Sequence, residues 1–198
     1  MATMHYLFFG VLSVAVLAIA RFGNRTIVER KADANHLTSY TAVSYIKPSI
    51  ASHQALRQRI VDIALNEIGV KEATGNSDGQ RVEEYLVYTG LGKGYAWCAA
   101  FVSWCYGQAG LSVPRNAWSP ALFPMSRRYI GQQTKQGSIR PADLFAIYSQ
   151  QRGRINHVGI IRKLEGKWIL TIEGNVEDQV LSKRRPLATI YTFSNWLD

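Results

Sequence analysis

Cys98 sits where a glycine-rich turn (Gly90, Gly92, Gly94) runs into a helical pattern, Trp97-Cys98-Ala99-Ala100-Phe101-Val102-Ser103-Trp104-Cys105-Tyr106. A cysteine in the first turn of a helix meets unpaired N–H groups and the positive end of the helix dipole, which favour thiolate, the nucleophilic form. The competing reading is an inert buried thiol, since free cysteine is among the most buried residue types. A thiol nucleophile needs a base, and the base needs a third group that orients it and stabilises its charged form. Of the four histidines, only His157 opens a β-prone run in the C-terminal half, His157-Val158-Gly159-Ile160-Ile161. The next such run, Trp168 to Ile172, ends in Glu173-Gly174-Asn175. If the two runs are antiparallel neighbours, His157 and Glu173 lie at the same end of one hairpin. Glu173 then accepts a hydrogen bond from the imidazole, and Asn175 adds a polar contact that holds the group or helps stabilise an oxyanion. Singly, a strand histidine is more often structural and a Glu before Gly more often a turn. Their order and context are what join them to Cys98.

The elements that must position these residues follow from periodicity. Leu56, Ile60, Ile63, Ala64 and Ile68 recur at helical spacing before Gly69, and Val82, Tyr85 and Leu86 share one side of a short helix over about 80–89. The Cys98 helix, expected to run to about Ala109 with Gly110 as its cap, is apolar nearly all round and is therefore buried. Trp104 and Cys105 on it are assigned to packing. Cys98 and Cys105 are the two cysteines. Seven positions apart at a rise of about 1.5 Å per residue, they stand too far apart to bridge, a disulfide tolerating about 7 Å between Cα atoms. Pro114 to Gln136 is irregular, and its aromatic residues either pack or line a cleft. From Pro141 the period changes to short β-prone runs at 144–148, 157–161 and 168–172, with a closing strand at 188–193, as in an antiparallel meander. Helices first and strands second is the α+β order.

The 198 residues, 47% hydrophobic and 19% charged, suit one globular domain plus a tail. A net charge of +9 favours anionic partners, such as an anionic envelope polymer, a membrane surface or nucleic acid. There is no zinc-finger spacing, no P-loop and no basic-aromatic RNA motif, so nucleic acid is not expected. The clusters Arg127-Arg128 and Lys183-Arg184-Arg185 read as solvated surface. At the N-terminus, Tyr6 to Ala20 is an uncharged apolar run containing Ala18-Ile19-Ala20, a small-x-small cleavage pattern. No Lys or Arg precedes the run, and Arg21 and Arg25 follow it, so residues 1–23 read either as a signal peptide or as an uncleaved membrane anchor. Residues 24–50 read as a linker and 51–198 as the folded domain. The expectation is export to the cell envelope, at the periplasm or cell surface.

Four spaced motifs carry a resemblance. Trp97-Cys98-Ala99-Ala100-Phe101-Val102, Pro141-Ala142-Asp143-Leu144, His157-Val158-Gly159-Ile160 and Glu173-Gly174-Asn175 resemble, in order, the CHAP domain family. These are cysteine- and histidine-dependent amidohydrolases and peptidases that cut peptidoglycan. The resemblance implies a papain-like α+β fold with the nucleophile helix packed on an antiparallel sheet. It also implies Cys98 as nucleophile, His157 as general base and acid, Glu173 as orienting carboxylate and Asn175 as accessory polar residue. Two departures stand out. Pro141-Ala142-Asp143 replaces the frequent Pro-Gly-Asp, and the segment Thr89 to Tyr95 holds none of the acids through which some members bind calcium. No metal and no cofactor are therefore expected. Compared with the related NlpC-type hydrolases, Ala99 beside the cysteine and Glu173 in the third position favour CHAP. The implied function is a peptidoglycan hydrolase acting either on the N-acetylmuramoyl-L-alanine amide or on a bond in the stem peptide or cross-bridge. A catalytically idle wall-binding or scaffold module and a thiol transamidase are the alternatives.

Overall fold

A computed structural model describes residues 50–130 and 138–198. The expectations for residues 1–23, for the linker as far as residue 49 and for residues 131–137 of the irregular stretch lie outside the described residues.

Three helices precede five strands. Helix α1, Ile50–Asn66, buries Ile60, Val61 and Ala64, the middle of its apolar stripe. It stops before Ile68, which is 41% exposed, so the stripe is shorter than the periodicity suggests. Helix α2, Gln80–Tyr88, turns Val82, Tyr85 and Leu86 inward. Helix α3, Cys98–Gln108, is buried at every position from Cys98 to Tyr106. That is the all-round burial its composition demands. Tyr85 of α2 meets the rings of Trp97, Phe101 and Trp104, which locks α2 onto α3. Tyr85 and Arg81 both hydrogen bond Glu67, just beyond α1, so the polar ends of this aromatic cluster are satisfied.

The strands are β1 (Leu144–Ser149), β2 (Arg154–Glu165), β3 (Trp168–Val176), β4 (Gln179–Pro186) and β5 (Thr192–Ser194). They form one antiparallel sheet in the order β4-β3-β2-β1-β5. Helix α3 packs on β2 and β3. This is the α+β arrangement of a cysteine-bearing helix against an antiparallel sheet. A second apolar cluster (Ile139, Phe145, Ile161, Ile169, Phe193) forms a core of its own, separate from the larger one that contains α3.

One strand lies beyond the sequence reading, and another differs from it in extent. Strand β4 was not expected, because Gln-Val-Leu-Ser-Lys-Arg-Arg-Pro is too polar to read as a strand. It lies at the sheet edge and fully buries only Val180. Its turn, Glu177-Asp178, has both residues at positive φ (53° and 59°), the geometry of a hairpin turn normally written Asn-Gly. The closing strand expected at 188–193 is only Thr192–Ser194, with a 3-10 turn at Leu187–Thr189 before it.

An ion pair fastens α1 to the start of β1. Arg57 donates to Asp143 Oδ1 at 2.8 Å and to the Pro141 carbonyl at 2.9 Å, while Tyr129 and the Arg140 N–H donate to Asp143 Oδ2. Asp143 is fully buried, so these donors replace its lost hydration. Ala142, which replaces the glycine frequent in the motif this segment resembles, sits at φ 66°, a left-handed conformation that explains why glycine suits that turn.

Candidate active site

The β2–β3 register sets Ile160 opposite Ile172 and Ile161 opposite Thr171. His157, near the start of β2, and Glu173, near the end of β3, therefore share one end of the hairpin. His157 Nε2 is 2.7 Å from Glu173 Oε2. The other ring nitrogen, Nδ1, is the one left for Cys98, whose thiol is near enough for thiol and imidazole each to shift the other's ionisation. Ser119 Oγ lies 3.3 Å from Cys98 Sγ. The structure thus brings together Cys98, His157 and Glu173 from three elements, and adds Ser119 from the loop after α3.

The sulfur is held at the helix N-terminus. Trp97 is the N-cap of α3, and the first backbone bond of the helix runs from Phe101 N–H to Trp97 C=O. The N–H groups of Cys98, Ala99 and Ala100 precede it and have no carbonyl in the helix ladder. Glu72 anchors this corner: its Oε1 accepts from the Trp97 indole at 2.7 Å, and its Oε2 accepts from the Ser77 N–H.

Asn175 takes a different place from the one expected. Its Nδ2 donates to Glu72 Oε1 at 3.1 Å, so it braces the Trp97 anchor and not the imidazole. The cause is local: Asn175 sits at φ 59°, where the β3–β4 register breaks between Glu173 and Val176.

The Glu173 carboxylate is fully buried and accepts more than the imidazole. Arg185 donates through Nε to Oε1 and through its Nη2 to Oε2, both at 2.6 Å, and Thr171 Oγ1 donates to Oε1 at 2.5 Å. Arg185 belongs to the basic run read as solvated surface. On β4 it is instead the paired counter-ion of the buried carboxylate. Only β4, itself hidden from sequence patterning, could reveal that role.

These contacts set the ionisation. Burial opposes a charged Glu173, but the Arg185 and His157 contacts prevail and hold its pKa near 2. Burial likewise opposes imidazolium, yet Cys98 and Glu173 raise His157 to about 9. Burial pushes the Cys98 thiol up, and His157, Ser119 and the Val158 backbone more than reverse it, bringing it below the ordinary thiol value. All three directions favour a thiolate–imidazolium pair beside a permanently ionised carboxylate. Cys105, also free, is pushed well up by burial and is a packing residue.

Two glycines are needed for close approach. A Cβ on Gly159 would lie 2.6 Å from the Phe145 ring and 2.8 Å from Glu173 Cγ; one on Gly174 would lie 2.7 Å from the Trp97 ring and 2.8 Å from Phe101 Cβ. Gly159→Ala is expected to displace Glu173, costing about 1–3 kcal/mol of stability by overpacking and about 100-fold in activity through misalignment. Denaturant unfolding and a hydrolysis assay check both. A fully active Gly159→Ala protein would show that the Glu173 position is not critical.

Cys98 opens on a cleft of about 440 Å³ whose lining includes Tyr95, Arg115, Trp118, Ser119 and Arg154. Tyr95 and Trp118 are more than half exposed, and through Trp118 this part of the irregular loop does line a cleft. Among the described residues no group of three or more His, Cys, Asp or Glu side chains is arranged to hold a metal.

Comparison with known proteins gives one family match: the model of the CHAP domain aligns with residues 90–175, a span holding Cys98, His157, Glu173 and Asn175. No curated protein matches the sequence. Among solved structures, the peptidoglycan hydrolase RipB from Mycobacterium tuberculosis is similar at 16% identity and a TM-score of 0.48, covering 82% of this chain and 74% of that one. A hypothetical invasion protein of the same organism is similar at 16% identity and a TM-score of 0.47, over 76% and 66% of the two chains. An NlpC/P60 family protein from Bacillus cereus is similar at 13% identity and a TM-score of 0.46, over 72% of this chain and 40% of that one. Likeness at this level is one of general shape, and the chemistry of the site stands on its own geometry.

Proposed function

From a chain that carries a CHAP domain over residues 90–175, we propose a cysteine-dependent hydrolase that cuts an amide bond of peptidoglycan, either the muramoyl-L-alanine amide or a bond of the stem peptide or cross-bridge. The observation that carries the reading is the alignment of Cys98, His157 and Glu173 at a helix N-terminus that opens on a cleft.

The thiolate of Cys98 attacks the amide carbonyl. The Cys98 N–H, free of the helix ladder, and a neighbouring donor stabilise the oxyanion. His157 gives the proton on Nδ1 to the departing amine as the C–N bond breaks, leaving a thioester on Cys98. The now neutral imidazole takes a proton from water, whose oxygen attacks the thioester. The acid is released, and the pair returns to thiolate and imidazolium. Glu173 keeps Nε2–H oriented throughout, and Arg185 and Thr171 keep Glu173 ionised and fixed. The substrate lies outside the cytoplasmic membrane, so this reading requires export, for which the run Tyr6 to Ala20 supplies a signal or an anchor. The basic surface assists adhesion to anionic envelope polymers.

Mass spectrometry of muropeptides incubated with the full chain tests the reading. New termini carrying one added water identify the bond and hydrolysis. Products joined to an added amine instead identify transfer, and no product at all overturns the proposal. The pH dependence of kcat/KM supplies an independent check. The active pair is lost on the acid side when the Cys98 thiolate is protonated, below the ordinary thiol range, and on the alkaline side when His157 loses its proton near pH 9. A bell extending to about pH 9 is expected. An alkaline limb at about pH 6.5, the unperturbed imidazole value, would rule out the stabilised imidazolium.

A further inference from the structure

The cleft above Cys98 is cationic in a way the catalytic groups do not require. Arg115, Arg152 and Arg154 line it, and no Asp or Glu does. They come from two segments: Arg115 from the loop after α3, and Arg152 and Arg154 from the β1–β2 turn and the first residue of β2. All three are exposed. Among the described residues none of the three forms a salt bridge, although carboxylates elsewhere on the surface are paired. Arg115 is also pre-positioned, because its Nε donates to the Tyr88 carbonyl at 2.7 Å and its guanidinium lies 4.5 Å from the Tyr88 ring centre. That leaves its two terminal nitrogens for a ligand at little further ordering cost. Exposed Tyr95 and Trp118 stand in the same cleft and offer apolar faces.

We propose that these arginines form an anion subsite that selects peptides carrying free carboxylates close to the scissile amide. The inference rests on the hydrolase reading above and adds to it the charge of the preferred substrate. A peptide is favoured over a polyanionic glycan or phosphate polymer because the charge is gathered in one cleft of about 440 Å³ that opens on the sulfur. An occupant of that cleft must also present a carbonyl to Cys98. Planar guanidinium groups match carboxylates with paired hydrogen bonds. The unpaired arginines repel cationic peptides, so the same feature discriminates in both directions.

The test uses the full-length Cys98→Ala protein, which binds without cutting. Calorimetry compares two synthetic stem peptides of the same sequence, one with free carboxylates and one with every side-chain carboxylate amidated. The free peptide is expected to bind at least about tenfold tighter, as charge-assisted bonds imply. That preference should shrink between about 50 and 300 mM salt. Arg115→Gln and the double change Arg152→Gln with Arg154→Gln, each made in the same background, should reduce the preference, with circular dichroism confirming the fold. Equal affinity for the two peptides, or a preference that survives all three changes, overturns the inference. So does the absence of binding to either peptide, or arginine-dependent binding only to a poly(glycerol phosphate) probe. Cleavage of intact cell wall by the unmodified protein is scored separately. Failure there removes the hydrolase reading, and failure of the binding comparison alone removes only the subsite.

Discussion

Cys98→Ala is expected to lower amide cleavage by at least about 10³-fold, and by up to about 10⁶ where the nucleophile dominates catalysis. Removing Sγ deletes the atom that forms the thioester, and neither the oxyanion donors nor His157 can supply a covalent route in its place. The fold should persist, since Cys98 is a small buried side chain whose thiol meets Ser119 Oγ at 3.3 Å and anchors no other element by a charged contact among the described residues. Cys98→Ser makes the stricter comparison. It keeps the shape and a hydroxyl but raises the pKa of the nucleophile far above anything His157 can draw down. It should therefore fail nearly as badly. Retention of more than about a tenth of the rate by the alanine protein would eliminate Cys98 as nucleophile.

Glu173 and Arg185 should move the alkaline limb of the pH profile in opposite directions. Glu173→Gln removes the charge that favours imidazolium, so the limb falls from about 9 toward the ordinary histidine value. The rate should fall by up to about 10⁴, as when a triad carboxylate becomes an amide. Stability should drop by about 3 kcal/mol, the low end for breaking a buried pair, because Arg185 retains 27% side-chain exposure and is partly hydrated. Arg185→Gln instead leaves the buried carboxylate less compensated. Glu173 then rises from its value of about 2, the surviving negative charge acts on His157 with less opposition, and the alkaline limb rises. Stopped assays across the pH range and chemical denaturation measure both variants. Shifts in the same direction would show that Arg185 acts only as packing.

The same groups determine when the fold itself is supported. His157 has its folded pKa raised from 6.5 to about 9, so its contribution is complete below about 6.5 and fades as pH rises through 9. Glu173 is lowered from 4.5 to about 2, so its contribution is complete above about 4.5 and fades as pH falls through 2. Both are fully present between those limits.

Much of this site is legible in the chain because its parts obey local rules. A cysteine after a glycine turn and before a largely apolar run opens a buried helix, and Cys98 is the first residue of α3. Two β-prone runs joined by Glu165-Gly166-Lys167 pair as a hairpin, so a histidine at one outer end and a glutamate at the other meet. The misses follow from nonlocal or atypical features. The sequence shows no hairpin at Glu177-Asp178, because residues other than glycine or asparagine occupy its left-handed positions. Without β4 there is nothing to bring Arg185 to Glu173. Asn175 was expected near the imidazole by proximity in sequence, but its left-handed backbone sends the amide to Glu72, more than a hundred residues earlier.

Sequence alone therefore determined the nucleophile's helix, the hairpin that joins His157 to Glu173, and the α+β order, since each depends on hydrophobic period and residues near in the chain. Tertiary structure alone decided which charges are spent and which are free. Arg185 and Arg57 are consumed by buried carboxylates, while Arg115, Arg152 and Arg154 remain unpaired around the cleft among the described residues. An arginine's pairing depends on which carboxylate the fold carries to it, and a one-dimensional pattern does not encode that distance.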